Sequence, residues 1–191
     1  MIKVIVTGAY STGKSNLVDA LAASMRQDGL SIIQIPDASR TCPLPLNQAQ
    51  TEATSLWLIT TQVSREIEAS SGPQSVMLCD RGVPDVLAHD EERSLGTKMT
   101  WLTHLREFSE RWIETYDVIL FSHVDKSILI EPDGLRSCDE AYRDRLDQCA
   151  AEVVAHRPGV VNLAHDPQRR LRQARDAINA SLARPRNSSS R

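Results

Sequence analysis

The run Gly8-Ala9-Tyr10-Ser11-Thr12-Gly13-Lys14-Ser15 places two glycines five positions apart and follows them with a lysine and a hydroxyl. Glycines let a loop curl so that successive N–H groups point inward, and a helix starting behind them adds the positive end of its dipole. A lysine at this place supplies a mobile cation for the β- and γ-phosphates of a nucleotide, and the serine hydroxyl is a ligand for Mg²⁺. This spacing is the P-loop pattern. It predicts that residues Gly8 to Ser15, with Asn16 directly behind them, hold a triphosphate, and that ATP and Mg²⁺ are the cofactors.

Polar groups also follow three later apolar runs. Asp37 and Arg40 come after Leu30–Ile35, Asp80 and Arg81 after Val76–Cys79, and His123 and Asp125 after Val118–Phe121. Asp80 is the expected acidic partner of Mg²⁺, often through water. Arg81, with its rigid fork of donors, suits a transferring phosphoryl group or an anionic acceptor. Asp37 can take the proton of an acceptor hydroxyl, because phosphoryl transfer needs positioning more than a strong base; its plainer reading is a cap or turn after Pro36. Arg40 suits an acceptor or a phosphate, or simply the surface.

Asp133-Gly134 marks a turn in a loop that carries Arg136, which would neutralise charge developing over the phosphates. Arg143 and Arg145 in the next helix either share that task or pair along the helix face with Asp139, Glu140, Asp144 and Asp147. His89, His104, His123, His156 and His165 show no ligand spacing and read as surface or satisfied histidines. Cys42, Cys79, Cys138 and Cys149 lack C-x-x-C spacing, which argues against zinc and gives no disulfide framework.

These groups need elements to position them. Ile2–Val6 is a β-branched run of the kind buried on both faces of a sheet. Leu17, Leu21 and Met25 recur at helical spacing behind the P-loop, to a stop near Asp28-Gly29. Leu30–Ile35, Val76–Cys79, Val118–Phe121 and Gly159–Leu163 read as further strands. Helices are expected over Asn47–Ser70, Met99–Thr115, Cys138–His156 and Pro167–Leu182, with Trp101, Leu105, Phe108 and Trp112 forming a core stripe in the second of these. Alternating strands and helices without a repeat or linker predict one α/β domain over residues 1–183, with a parallel sheet whose strand ends carry the site. The Ser/Arg/Pro tail, 184–191, is expected to be disordered.

Across its 191 residues the chain is 41% hydrophobic, enough for one such core, and its net charge of −3 offers no global attraction to nucleic acid or an acidic membrane. From Arg169 onward Asp176 is the only acid, so the C-terminal segment is locally basic. The chain begins as a strand rather than as a charged leader, and no apolar stretch reaches the ~20 residues that span a bilayer. The expected location is cytoplasmic.

The P-loop, the Pro-Asp-Ala-Ser-Arg segment after the second strand, Asp80-Arg81-Gly82 after the third, and Asp133-Gly134-Leu135-Arg136 before an Arg-bearing helix together resemble the nicotinamide-riboside-kinase-like P-loop kinases, relatives of nucleoside and nucleoside-monophosphate kinases. The resemblance spans roughly residues 2 to 182. It implies a three-layer P-loop fold with a five-stranded parallel sheet, an acceptor pocket between strands two and three, and an arginine-bearing lid. It makes Asp37 the base and Asp80 the metal-linked acid, and places the adenine beside Val160–Leu163 and the loop around His165–Gln168. Many relatives carry Glu where Asp37 stands. The expected activity is ATP-dependent phosphorylation of a hydroxyl or phosphate on a small nucleoside, nucleotide or related metabolite. A kinase acting on a hydroxylated base or a terminus in nucleic acid is the sibling reading, supported by the basic C-terminal segment alone. A regulatory NTPase acting on a protein partner is the reading from another class, although no Asn-Lys-x-Asp segment for guanine is present.

Overall fold

A computed structural model describes residues 1–94, 102–128, 130 and 137–184. Five strands, β1 (Ile2–Thr7), β2 (Ile32–Ile35), β3 (Val76–Asp80), β4 (Val118–Phe121) and β5 (Val160–Asn162), form one sheet in the order β2-β3-β1-β4-β5, and every pairing is parallel. The helices are α1 (Lys14–Gln27), α2 (Glu52–Ser70), α3 (Val83–Ser94), α4 (Leu102–Ile113), α5 (Glu140–Val154) and α6 (Pro167–Leu182).

The strands read as continuous apolar runs because both faces of the sheet are covered. Successive side chains point to opposite faces, so the core divides in two. Val4 and Val6 of β1, Val76 and Leu78 of β3, and Val118 and Leu120 of β4 pack with Leu17 and Leu21 of α1 and Ala174 and Ile178 of α6. Ile5, Met77, Cys79, Ile119 and Phe121 point the other way, into a layer built from α2, α3, α4 and α5. This is the expected three-layer arrangement with a five-stranded parallel sheet.

Three expectations change. No helix was expected over Val83–Ser94, yet α3 forms there, because its buried face includes Asp85 and Asp90 and so breaks the apolar rhythm. The helix expected from Asn47 starts at Glu52, where Thr51 and Thr54 form a capping box, and residues Asn47–Ala49 are instead a short 3₁₀ turn. The aromatic stripe of α4 is not a full core stripe. Phe108 is 43% exposed and stacks on Trp112 at 5.9 Å, while Trp112 and Leu105 are partly buried. Trp101, the Asp133–Arg136 loop with Arg136, and the tail from 185 lie outside the described residues. No described helix is long and apolar enough to cross a membrane.

Candidate active site

The loop between β1 and α1 follows the chemistry of its residues. Gly8 has φ 129°, and a Cβ there would lie 2.3 Å from the Ser122 carbonyl oxygen at the end of β4, so only glycine fits. The Lys14 side chain is 4% exposed and folds over the loop. Its ammonium donates to the Gly8 carbonyl at 2.8 Å, to the Ala9 carbonyl, and to Thr12 Oγ1 at 3.3 Å. Burial lowers its pKa from 10.5 to about 7, helped by the charge of Arg81; Asp85, Asp80 and Asp37 pull the other way.

Ser15 Oγ donates to Asp80 Oδ2 at 2.6 Å, which joins the start of α1 to the end of β3. Asp80 Oδ1 is buried and has no hydrogen-bond partner among the described residues. A carboxylate oxygen left bare beside a serine hydroxyl, at the foot of a phosphate loop, fits a hard cation that accepts oxygen ligands. No group of three or more His, Cys, Asp or Glu side chains among the described residues is arranged to hold a metal. A P-loop Mg²⁺ needs only the hydroxyl and the acid besides phosphate and water.

Arg81 occupies a left-handed backbone conformation with φ 66°. Its side chain turns between two carboxylates, with Nε 3.3 Å from Asp37 Oδ2 and Nη1 3.7 Å from Asp85 Oδ1. Burial opposes the guanidinium charge, but the carboxylates of Asp37, Asp85 and Asp80 outweigh it and raise its pKa. Asp37 takes the cap position that was its plainer reading, and also meets Arg81. Its Oδ1 caps the 3₁₀ turn Ala38–Thr41 by accepting from the Ser39 N–H at 2.9 Å, while its other oxygen meets Arg81. Arg40 reaches Ser15 Oγ at 3.5 Å from the mouth of the site.

Asp85, which the sequence reading passed over, braces this corner. It accepts from Thr7 Oγ1 at 2.9 Å, from the Gly8 N–H at 3.3 Å and from the Gly82 N–H at 3.0 Å. Burial raises its pKa against the lowering charges of Arg81 and Lys14. The signal that could have revealed it is Asp80-Arg81-Gly82-x-x-Asp85, an acid one helical turn beyond the strand end. Arg170, also missed, braces the opposite side: it donates to the Thr12 carbonyl at 2.8 Å and to Ser122 Oγ at 2.7 Å, which brings the start of α6 against the phosphate loop.

A cavity of about 500 Å³ runs from the phosphate loop past Asp37, Arg81 and Asp85 to a far end walled by Leu46, Gln50, Leu58, Gln62, Val86 and His89. His89 is a satisfied histidine, one of the two expected kinds, and it lines the cavity. Nδ1 lies 2.8 Å from the Tyr142 hydroxyl, and burial lowers its pKa to about 3, so the ring is neutral. Arg143 and Arg145 do not reach this cavity, nor do they pair with the acids of their own helix. Arg145 binds Glu92 of α3 at 2.9 Å, and the buried Arg143 donates to the Ile128 carbonyl at 3.1 Å. His123 lies 3.3 Å from Asp147, and Asp125 accepts from the Ser127 N–H and hydroxyl, so this strand end contributes no group to the cavity. All four cysteines are free.

The sheet order and the loop after β1 define a P-loop α/β protein with a kinase-like architecture. The chain belongs to the family described as AAA domain, whose model matches residues 3–170. No protein of curated function matches it in sequence. Among solved structures it is similar to NadR in complex with NAD and AMP-PNP (TM-score 0.67, 20% identity) and to NadR in complex with NR (TM-score 0.72, 18% identity). All of this chain aligns, but it spans only 52% and 54% of those two chains, about half their length. A deoxyadenosine kinase from M. mycoides, solved with dCMP and dCDP, matches with TM-score 0.65 and 12% identity over 94% of this chain and 100% of its own. The fold these structures share is the fold that the resemblance read from the sequence implied.

Proposed function

We propose that the protein is an ATP-dependent kinase that phosphorylates a hydroxyl of a small nucleoside-like molecule. One observation carries this reading: the cavity extends beyond the phosphate loop to a far end lined by Leu46, Gln50, Leu58 and Gln62, and the Asp37–Arg81 pair lines it as well. Its volume of about 500 Å³ is in the range of small-molecule sites. A switch that only hydrolyses its nucleotide has no need of that second compartment.

The charges favour a hydroxyl over a phosphate as acceptor. Among the described lining residues Lys14 serves the phosphate loop, Arg81 is shared by two carboxylates, and Arg40 stands at the mouth. The far end offers neutral amides, a neutral imidazole and apolar walls. A dianionic phosphate buried there would lack a cation.

In the proposed reaction the acceptor oxygen bonds to the γ-phosphorus while the bond from that phosphorus to the β–γ bridging oxygen breaks, and ADP departs with the electron pair. Asp37 orients the acceptor hydroxyl and receives its proton. Lys14 leaves the loop carbonyls for the phosphate oxygens, and Arg81 exchanges a carboxylate for the transferring group. Ser15 and Asp80 would hold Mg²⁺, which supplies charge neutralisation across the phosphates. Arg170 and Arg175 of the basic helix α6 are engaged internally, Arg175 with Ser24 and Asp28, while Arg169 and Arg172 are exposed, so the sibling nucleic-acid reading rests on the latter two. Transfer of label from γ-labelled ATP, screened over nucleosides, nucleotides, vitamins and modified DNA, tests the proposal. Label released only as free phosphate with every acceptor would reject it in favour of the NTPase reading.

A further inference from the structure

Glu66 of α2 is 1% exposed, and five side-chain donors converge on its carboxylate. Oε1 accepts from Gln62 Nε2 at 2.7 Å, from the Tyr116 hydroxyl at 2.7 Å and from the Cys79 thiol at 3.7 Å. Oε2 accepts from Trp112 Nε1 at 2.8 Å and pairs with the Lys3 ammonium at 2.6 Å. Lys3 in turn lies over the rings of Trp112 and Tyr116, 4.2 and 4.4 Å from their centroids. Burial first, and then the carboxylate itself, raise the pKa values of Tyr116 and Cys79, so both keep their protons and remain donors.

This arrangement decides which way an amide faces. A carboxylate has no proton to give, so Gln62 must turn its NH₂ toward Glu66. The carboxamide oxygen has no partner among the described residues and belongs to a side chain that lines the cavity. The packing leaves little freedom there: a Cβ on Gly82 would fall 2.9 Å from the Tyr116 hydroxyl and 3.4 Å from Gln62 Nε2.

We propose that Glu66 is a positioning residue of the acceptor pocket, which locks Gln62 as a hydrogen-bond acceptor and so selects acceptor molecules that present an N–H or O–H donor at the far end of the cavity. The inference rests on the kinase reading only in assigning the occupant of that end. A site built to pair a substrate donor rejects the analogue lacking it, because the buried polar group is then left unpaired.

Matched pairs that keep or lack a single exocyclic donor, adenosine against purine riboside and cytidine against pyrimidin-2-one riboside, are the probes, with γ-labelled ATP. The wild-type protein should prefer the amino member of at least one pair by roughly tenfold or more, expressed in KM rather than kcat. Glu66→Gln lets the two amides reverse and should shrink or invert that preference. The swapped pair Gln62→Glu with Glu66→Gln turns a carboxylate oxygen to the cavity and should restore it. Gln62→Leu leaves Glu66 its Lys3, Trp112 and Tyr116 partners and should abolish the preference in a folded protein. Preference for the member lacking the amino group, or a Glu66→Gln loss equal for both members and residing in kcat, overturns the proposal. The amide is read independently of transfer: in the wild type without acceptor, the Gln62 side-chain NH₂ should be protected from hydrogen exchange, and Glu66→Gln should remove that protection. An unprotected Gln62 amide overturns the lock. A protected amide with label passing only to water overturns the kinase reading, and with it the choice of occupant, while the lock stands.

Discussion

Lys14 carries a charge that the fold has displaced from its ordinary setting. Lys14 ionises at about 7 in the free protein, against 10.5 unperturbed, chiefly because it is buried. Between those two values the unfolded chain holds more protons than the folded one, so Lys14 makes stability rise with pH across that window; below about 7 the full cost of its buried charge is present. A bound triphosphate restores the charge, so ATP binding above pH 7 should take up a fraction of a proton that approaches one. Affinity should weaken as pH rises from 7 to 9, by up to about tenfold per unit. Calorimetry in two buffers of different ionisation enthalpy measures the uptake, and identical heats would contradict it. Lys14→Ala should nearly abolish turnover with the fold intact by circular dichroism. Asp37→Asn should lower kcat by about 10²-fold or more, with ATP affinity changed little. A variant that loses ATP binding instead would place Asp37 beside the nucleotide.

At the scale of elements, the site is a junction of strand ends. The β2-β3-β1 order sets Asp37 next to Arg81, and both next to the phosphate loop. Asp85 on the first turn of α3 ties Thr7, Gly8 and Gly82 together, and Arg170 ties α6 to the same loop. Gly8 packs closely against the Ser122 carbonyl just after β4. Gly8→Ala must relieve both a positive φ and the clash with the Ser122 carbonyl, and should cost about 3 kcal/mol in urea unfolding. It should also lose nucleotide binding; retention of both properties would mean that the loop can shift without consequence.

Over the whole molecule, one sheet with both faces covered carries two compartments of a single cavity. The cavity runs from the phosphate loop to α2 and α3, so ligands at its two ends should stabilise the fold together. ATP with Mg²⁺ at about 100 times its Kd should add about 2.7 kcal/mol. That corresponds to a rise in Tm of about 2–4 °C per kcal/mol, read by calorimetry. Removing Mg²⁺ with EDTA should shrink the rise, through loss of the partner that Ser15 and Asp80 offer. An unchanged Tm in the presence of ATP would argue against nucleotide binding.

The phosphate-loop pattern, the parallel sheet and the order of the strands were legible in the sequence, as were the helices other than α3, because each rests on local pattern: eight contiguous residues for the loop, and apolar runs of four to six for the strands. The roles expected of Asp80 and Arg81 needed only their place at a strand end. The tertiary structure alone decided which partners they meet. Arg145 binds Glu92 across to α3 rather than an acid of its own helix, since side chains pair with whatever the packing brings near. Asp85 and Glu66 left no apolar rhythm to read, because a buried carboxylate is tolerable only when donors from distant segments converge on it. For Glu66 those donors come from positions as far apart as Lys3 and Tyr116, so its hold on Gln62, and with it the polarity of the pocket, exists only once the chain has folded.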